Sequence, residues 1–469
     1  MLTERLARFV IETPTADIPP PVLAGARDAL LDTIGVALAG TVEPVGEIVA
    51  RWITELDARP QSTFWGQRAG SSPADAAFAN GVCAHALDFD DSLPSLRGHP
   101  SATMIPAALA VAEVTGASGA DVLAAYAVGL EVAGKLGQAM GHGHYLRGWH
   151  TTATAGVFSS TAAAARLAGL DAQGLRTAWG LAASQVGGLI RNFGTMTKPF
   201  HAGHAARCAV QSVWLARAGF TADDNIFDDK DSVLATYRGD DGASFEQLIA
   251  RLGAPWEMLE PGIYVKRWPC CYCNHRAVGG MLELIAKHAI GADEVRQVEI
   301  GFLPGTDNAL VSHDPQTGLE GKFSIEYAMA ATLLDGRLTL ETFTDAMVQR
   351  PPARELMRKV RRYRIADDKV YSGVVGYTDI AVDTARGRFA MRVDRAPGSP
   401  AWPMTKQERL EKFMDCAGRV LGTPGASRLL ERIQNCGTLA DIRDLLRATV
   451  PVDKYDETAS DAQPEPVPH

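Results

Sequence analysis

The chain has 469 residues, 46% of them hydrophobic and 22% charged, with a formal net charge of −9. This is the composition of an ordinary globular protein, long enough for two or three domains, and its acidity disfavours nucleic acid and anionic membrane as partners. The opening MLTERLARFVIET is amphipathic without a long apolar core, and no uncharged apolar run reaches about 18–20 residues, so neither a secretory signal nor a membrane span is expected.

In chain order, Pro20–Gly40 reads as the first long helix. Proline pre-sets its opening turn, and Leu23, Ala26, Leu30, Ile34 and Leu38 recur at helical spacing. Helices dense in Ala and Gly are predicted near Ala74–Leu87, Met104–Val114, Ala120–Met140, Thr151–Ala168, Asp171–Ser184 and Gly203–Ala218. The pattern changes near Trp256–Lys266. A helix at His275–His288 precedes the alternating run Val295–Phe302, which has the period of a half-buried strand. Ile325–Leu334 reads as a helix, and Gly373–Asp383 and Arg388–Asp394 as strands joined by a hairpin turn. Thr405–Leu421, Ala426–Asn435 and Leu439–Thr449 return to helix. Asp453–His469 is acidic, Pro-rich and expected to be disordered. The fold class is therefore mainly α. A large helical domain (residues 1–265 and 396–450) is built from both chain ends, with an inserted α+β domain at 266–395. A cleft between two such units is a favoured place for a small-molecule site.

The chemistry concentrates in a few stretches. His85-Ala-Leu-Asp-Phe-Asp-Asp91 and Arg97-Gly-His-Pro-Ser101 crowd three carboxylates and two histidines against a buried helix. Crowded titratable groups have their pKa values pushed apart, which separates acids from bases. Asp88 is a candidate to orient a histidine or to cap a helix. His99 and Ser101 at a helix start read as an anion cradle or as a loop histidine with an N-capping serine. His142, His144 and His150 come close together. His142 and His144 are too near each other to chelate well, and no His-Glu-x-x-His motif occurs, so no metal is expected and His150 reads as an acid–base group. Lys198, in the loop-like run Arg191–His204, is a candidate anion partner or a surface lysine. Lys266 to Arg276 combines cations, three thiols and His275. Seven cysteines are an odd number, and Cys270, Cys271 and Cys273 lack the second pair that structural zinc wants, so buried, reduced thiols are expected, and with them a cytoplasmic location. Tyr327 is a packed aromatic or a proton donor. Nucleotide, Walker and Gly-x-Ser-x-Gly motifs are absent. What remains suits general acid–base work on a small anion.

Several segments together carry a resemblance. They are Ala86-Leu-Asp-Phe-Asp-Asp91, Gly98-His-Pro-Ser101, Gly148-Trp-His-Thr151, Thr195-Met-Thr-Lys-Pro199, Trp268-Pro-Cys with His275, and Lys322-Phe-Ser-Ile-Glu-Tyr327. From its first helix to about residue 450 the chain resembles the MmgE/PrpD family. That family includes 2-methylcitrate dehydratase, cis-aconitate decarboxylase and iminodisuccinate epimerase. The resemblance implies a helical domain with an inserted α+β lid, a homodimer, no cofactor and a di- or tricarboxylate substrate. It places Asp88, His99, His150, Lys198, His275 and Tyr327 in the active site, with Asp91, Arg97, Ser101 and Lys266 around the substrate. Dehydratases of the family usually continue the acidic motif with Asp-Thr-Trp. This chain has Asp91-Ser-Leu-Pro and then Arg97. Gly143-His-Tyr-Leu, Asn192–Pro199 and Gly318–Tyr327 look most like the epimerase branch, so an epimerase is expected first and a dehydratase or decarboxylase second. All three reactions would pass through a carbanion or enediolate at a carbon next to or bearing a carboxylate. Lys198, Arg97 and Lys266 would hold the substrate, and His99 and His150 would move protons.

Overall fold

The structure, a computed structural model, describes residues 1–371 and 375–452. The expected tail Asp453–His469 and positions 373–374 of the expected strand Gly373–Asp383 lie outside the described residues. The protein is mainly α with a minor sheet. Helices Pro20–Gly40, Pro44–Glu55, Pro73–Ala86 and Pro100–Thr115 all start on a proline, which loses no hydrogen bond in a first turn. Gly119–Leu146, Gly156–Leu167, Ala172–Ala183 and Thr197–Arg217 follow.

One hydrophobic core gathers side chains from Leu6 to Trp256 and takes up the chain again from Phe413 to Leu446. A second runs from Trp268 to Val393 and borrows Phe193 from the first part of the chain. The second core packs His275–His288 and Ile325–Asp335 with a four-stranded sheet. The strand order is Val360–Arg364, Val295–Phe302, Thr378–Thr384, Gly387–Val393. The first pair is parallel, with Val298 opposite Val360, and the others are antiparallel, with Ile300 opposite Ile380.

Several expectations change. Thr151–Ala168 is two helices that meet at Ala155. The expected helix Leu439–Thr449 shortens to Arg443–Arg447. The helix expected from Gly203 begins at Thr197, so Lys198 stands on its first turn and not in a loop.

Two close approaches position the site. A Cβ on Gly203 would lie 2.4 Å from Phe78 O, and one on Gly81 would lie 2.8 Å from Gly203 Cα. Only glycine lets Pro73–Ala86 and Thr197–Arg217 cross this tightly, and these helices carry His85 and Lys198. A Cβ on Gly98 would meet Thr152 N at 2.9 Å, which sets the His99 loop against the start of the helix that follows His150.

Candidate active site

A cavity of about 680 Å³, mouth included, opens where the two cores meet. Its walls include Asp88, Arg97, His99, His150, Phe193 and Lys198 on one side and Cys271, Tyr272, Cys273, Asn308 and Phe323 on the other.

The helix Pro73–Ala86 ends in a left-handed turn at Asp88 (φ 49°), an uncommon conformation for a residue with a Cβ. This turn brings its carboxylate under Lys198. Lys198 Nζ donates to Asp88 Oδ1 at 2.5 Å and to His85 Nε2 at 2.8 Å, between the rings of Phe193 and Phe323 at 5.2 and 5.3 Å. His85 accepts at Nε2, so its Nδ1 carries the proton and donates to Asp90 Oδ2 at 2.8 Å. Lys266 Nζ reaches Asp88 Oδ1 at 3.0 Å from the other side. Burial works to raise the Asp88 carboxyl, but Lys198 and Lys266 outweigh it and hold it well below the usual carboxylate range. Its Oδ2 is buried without a partner among the described residues.

His99 Nδ1 lies 2.7 Å from the carbonyl of Asp91 and must donate to it. That leaves Nε2, on the cavity side 4.0 Å from Asp88 Oδ1, as a bare base. His150 Nδ1 and His201 Nδ1 are 3.0 Å apart, so one ring donates to the other. Burial, and then nearby cations, hold His99 and His150 well below the ordinary imidazole value. Burial first, then His85 and Lys198, lowers His201 to about 4. His99 and His150 are therefore neutral at pH 7. The expected outcome is an acid limb of kcat/KM below pH 6.5, because neutral imidazoles with lowered proton affinity stay neutral as the pH falls past their ordinary value. A limb at about 6.5 would mean the histidines are solvated.

His85, Asp88, Asp90 and His99 place ligand atoms within 4.8 Å of one another, a spacing a cation could use. Asp88 Oδ1 is already bonded to two ammonium groups and Asp90 Oδ2 to His85, so these two oxygens are held by the chain's own side chains, while Asp88 Oδ2 and Asp90 Oδ1 have no partner among the described residues.

Of the ten residues expected from the sequence, Asp88, Arg97, His99, His150 and Lys198 share this cavity. The other five do not reach it. Lys266 lies under Asp88, fully buried, so its ammonium serves the carboxylate and not a substrate. Asp91 turns away from the cavity. Ser101 Oγ donates to it at 2.5 Å and sits 2.6 Å from the Tyr126 hydroxyl. Burial pushes the Asp91 carboxyl up to about 8, so this chain is neutral packing and not an anion cradle. His275 stacks on Tyr272 behind the cavity wall, and burial, with Lys266, lowers it to about 3. Tyr327 is fully buried against Phe343, and its hydroxyl donates to Thr342 O at 2.5 Å. The packed-aromatic reading of Tyr327 is the one the structure supports. Tyr327→Phe is expected to keep kcat within about twofold and to lose about 1 kcal/mol of stability, read from steady-state rates and a denaturant melt. A collapse of kcat alone would restore the proton-donor reading.

The sequence analysis assigns no role to His85, Asp90 or His201. The first two lie inside the acidic motif. His201 follows Lys198 by three positions, one helical turn on the same face, and that register shows once the helix is known to start at Thr197.

The sequence pattern of the MmgE/PrpD N-terminal domain matches residues 4–246, and that of the MmgE/PrpD C-terminal domain matches residues 268–436. Among curated proteins, the chain is 28% identical to human cis-aconitate decarboxylase over 94% of this chain and 92% of that protein. It is 26% identical to the cis-aconitate decarboxylase-like protein oryM of Aspergillus oryzae, over 95% of this chain and 96% of that protein. It is 25% identical to cis-aconitate decarboxylase of Aspergillus terreus, over 95% of each. With both domain patterns matched in order over most of its length, the chain belongs to the MmgE/PrpD family.

Proposed function

We propose that this protein is a lyase that decarboxylates a small unsaturated tricarboxylate of the cis-aconitate class, using its own side chains. The observation that supports this most is Arg97. It is half-buried, lines the cavity, donates to Gly137 O at 3.1 Å, and has no carboxylate within ion-pair distance among the described residues. The two lysines nearby are already matched by Asp88. A substrate carboxylate thus has one cation waiting for it, held on a backbone with φ 56°. The relatives with full-length similarity, cis-aconitate decarboxylases by name, favour the lyase reading over the epimerase expected from short segments.

Loss of carbon dioxide leaves an electron pair on carbon, which the adjoining double bond passes toward a remaining carboxylate. Arg97 and the Lys198 ammonium stabilise that charge. A proton must then reach carbon. Lys198 holds one between Asp88 and His85, and His99 Nε2 and His150 face the same space. No metal or organic cofactor enters this scheme, and we propose a homodimer as the working state.

Proton NMR in deuterium oxide tests the reading, with cis-aconitate, 2-methylcitrate and iminodisuccinate in separate tubes. New vinyl signals from cis-aconitate, with carbon dioxide released and one deuterium gained, are expected. Exchange into iminodisuccinate with interconverting diastereomers and no carbon dioxide would replace the lyase by an epimerase.

A further inference from the structure

The left-handed turn that carries Asp88 is held from behind by three ammonium groups on three successive carbonyls. Lys322 Nζ donates to Leu87 O, Lys266 Nζ to Asp88 O and Lys412 Nζ to Phe89 O, each at 2.8 Å. The three lysines come from distant parts of the chain. Lys266 lies where the chain enters the second core, Lys322 within that core, and Lys412 on the helix Lys406–Gln434 that returns to the first. They are 0%, 3% and 8% exposed.

An ammonium is costly to bury unless it is paired. Lys266 has Asp88. Lys412 has Asp32 Oδ1 at 2.6 Å and also donates to Lys266 O at 3.0 Å, so it ties two strands of the device together. Lys322 has no carboxylate within ion-pair distance among the described residues. Its contacts are the Leu87 carbonyl and the face of Phe343 at 5.5 Å. Burial lowers its proton affinity to about 8, so it still carries charge at neutral pH. A buried charge directed at one backbone carbonyl is wasteful for stability and useful for geometry. A non-glycine residue at positive φ is strained, and charge-assisted bonds on either side of it keep the chain there.

We propose that Lys322 and Lys412 are positioning residues. By gripping the carbonyls before and after Asp88, they fix its carboxylate against Lys198 without touching substrate. This rests on the reading of Asp88 and Lys198 as reacting groups, and the test separates the two claims.

Lys322→Met and Lys412→Met, the latter combined with Asp32→Asn to remove the stranded acid, are compared with wild type in two assays. The first is turnover of cis-aconitate. A small misplacement of a reacting group costs on the order of 100-fold in kcat, with KM within about threefold because Arg97 is untouched. The second needs no substrate: acylation of Lys198 by an anhydride, quantified by peptide mass spectrometry. Lys135, buried elsewhere against Glu257 at 2.7 Å, serves as internal reference. Lys198 labelling is expected to rise several-fold with Lys135 unchanged. Lys322→Gln keeps a donor without the charge. It is expected to recover part of kcat, and it stands in if the methionine variant does not fold. Unchanged kcat and labelling would overturn the proposal. So would equal rises at Lys198 and Lys135, which mean general loosening. If wild type turns over no carboxylate, the proposed function fails and labelling alone decides the clamp.

Discussion

Lys198→Met is expected to lower kcat for the true substrate by roughly a thousandfold, the range of a lost proton-transfer group, with little change in melting temperature. The two effects separate because of how Asp88 is built. Losing one partner of a buried ion pair usually strands the other, but Asp88 keeps Lys266 at 3.0 Å and Lys266 also holds its backbone carbonyl. The carboxylate therefore stays charged and in place. The cavity loses its ammonium and His85 Nε2 loses its donor. Lys198→Arg should not rescue. The pocket between Phe193 and Phe323 fits a point charge that reaches one carboxylate oxygen and one imidazole, not a planar fork. Steady-state kinetics with a thermal melt on each variant checks this, and retention of a tenth of wild-type kcat would remove Lys198 from the chemistry.

Much of this site was legible in the sequence, for physical reasons. Charged residues next to long Ala-rich helices have no solvent to go to, so Asp88 and His99 stand out as groups that must be paired or used, whereas Lys198, in a loop-like run, reads equally as an anion partner or a surface lysine. The helices themselves followed from period and proline. What escaped was long-range. The strand Val360–Arg364 was missed because it is an edge strand carrying Arg361, Arg362 and Arg364, charges that blunt an exposed edge and hide its alternation. The sequence alone offers three cations for the substrate, Lys198, Arg97 and Lys266. In three dimensions Lys266 and Lys198 both meet Asp88, which leaves Arg97. Asp91, Ser101 and His275 carry the right chemistry at the right place in the motif but point the wrong way. Direction within a turn depends on backbone angles such as the positive φ of Asp88 and Arg97, and no spacing rule reports those. A packed tyrosine and a catalytic one look alike until the Thr342 carbonyl claims the hydroxyl.

Asp88→Asn is expected to do what Lys198→Met does not, which is to cost activity and stability together. Asp88 Oδ1 receives both lysine ammoniums, and an amide cannot neutralise either. Stranding buried charge costs about 3–5 kcal/mol, so the variant should unfold at markedly lower denaturant, with kcat down by at least the roughly thousandfold of the lysine variant. The pH dependence has a definite sign. Burial opposes ionisation of Asp88, yet Lys198 and Lys266 hold its carboxyl well below the unfolded value of 3.8. The stabilisation is thus fully present above that value and is lost as the pH falls through the lower folded value. The stability gap between wild type and variant should therefore be flat between about pH 5 and 8 and close only in strong acid. Lysine partners decide the rest. Lys266 owes its raised proton affinity to Asp88, working against burial that would lower it. In the double variant Asp88→Asn/Lys266→Met the stranded ammonium is gone and much of the lost stability should return, while turnover stays absent. Recovery of turnover along with stability would show that Asp88 acts by structure alone and that the proton path runs through His99 and His150.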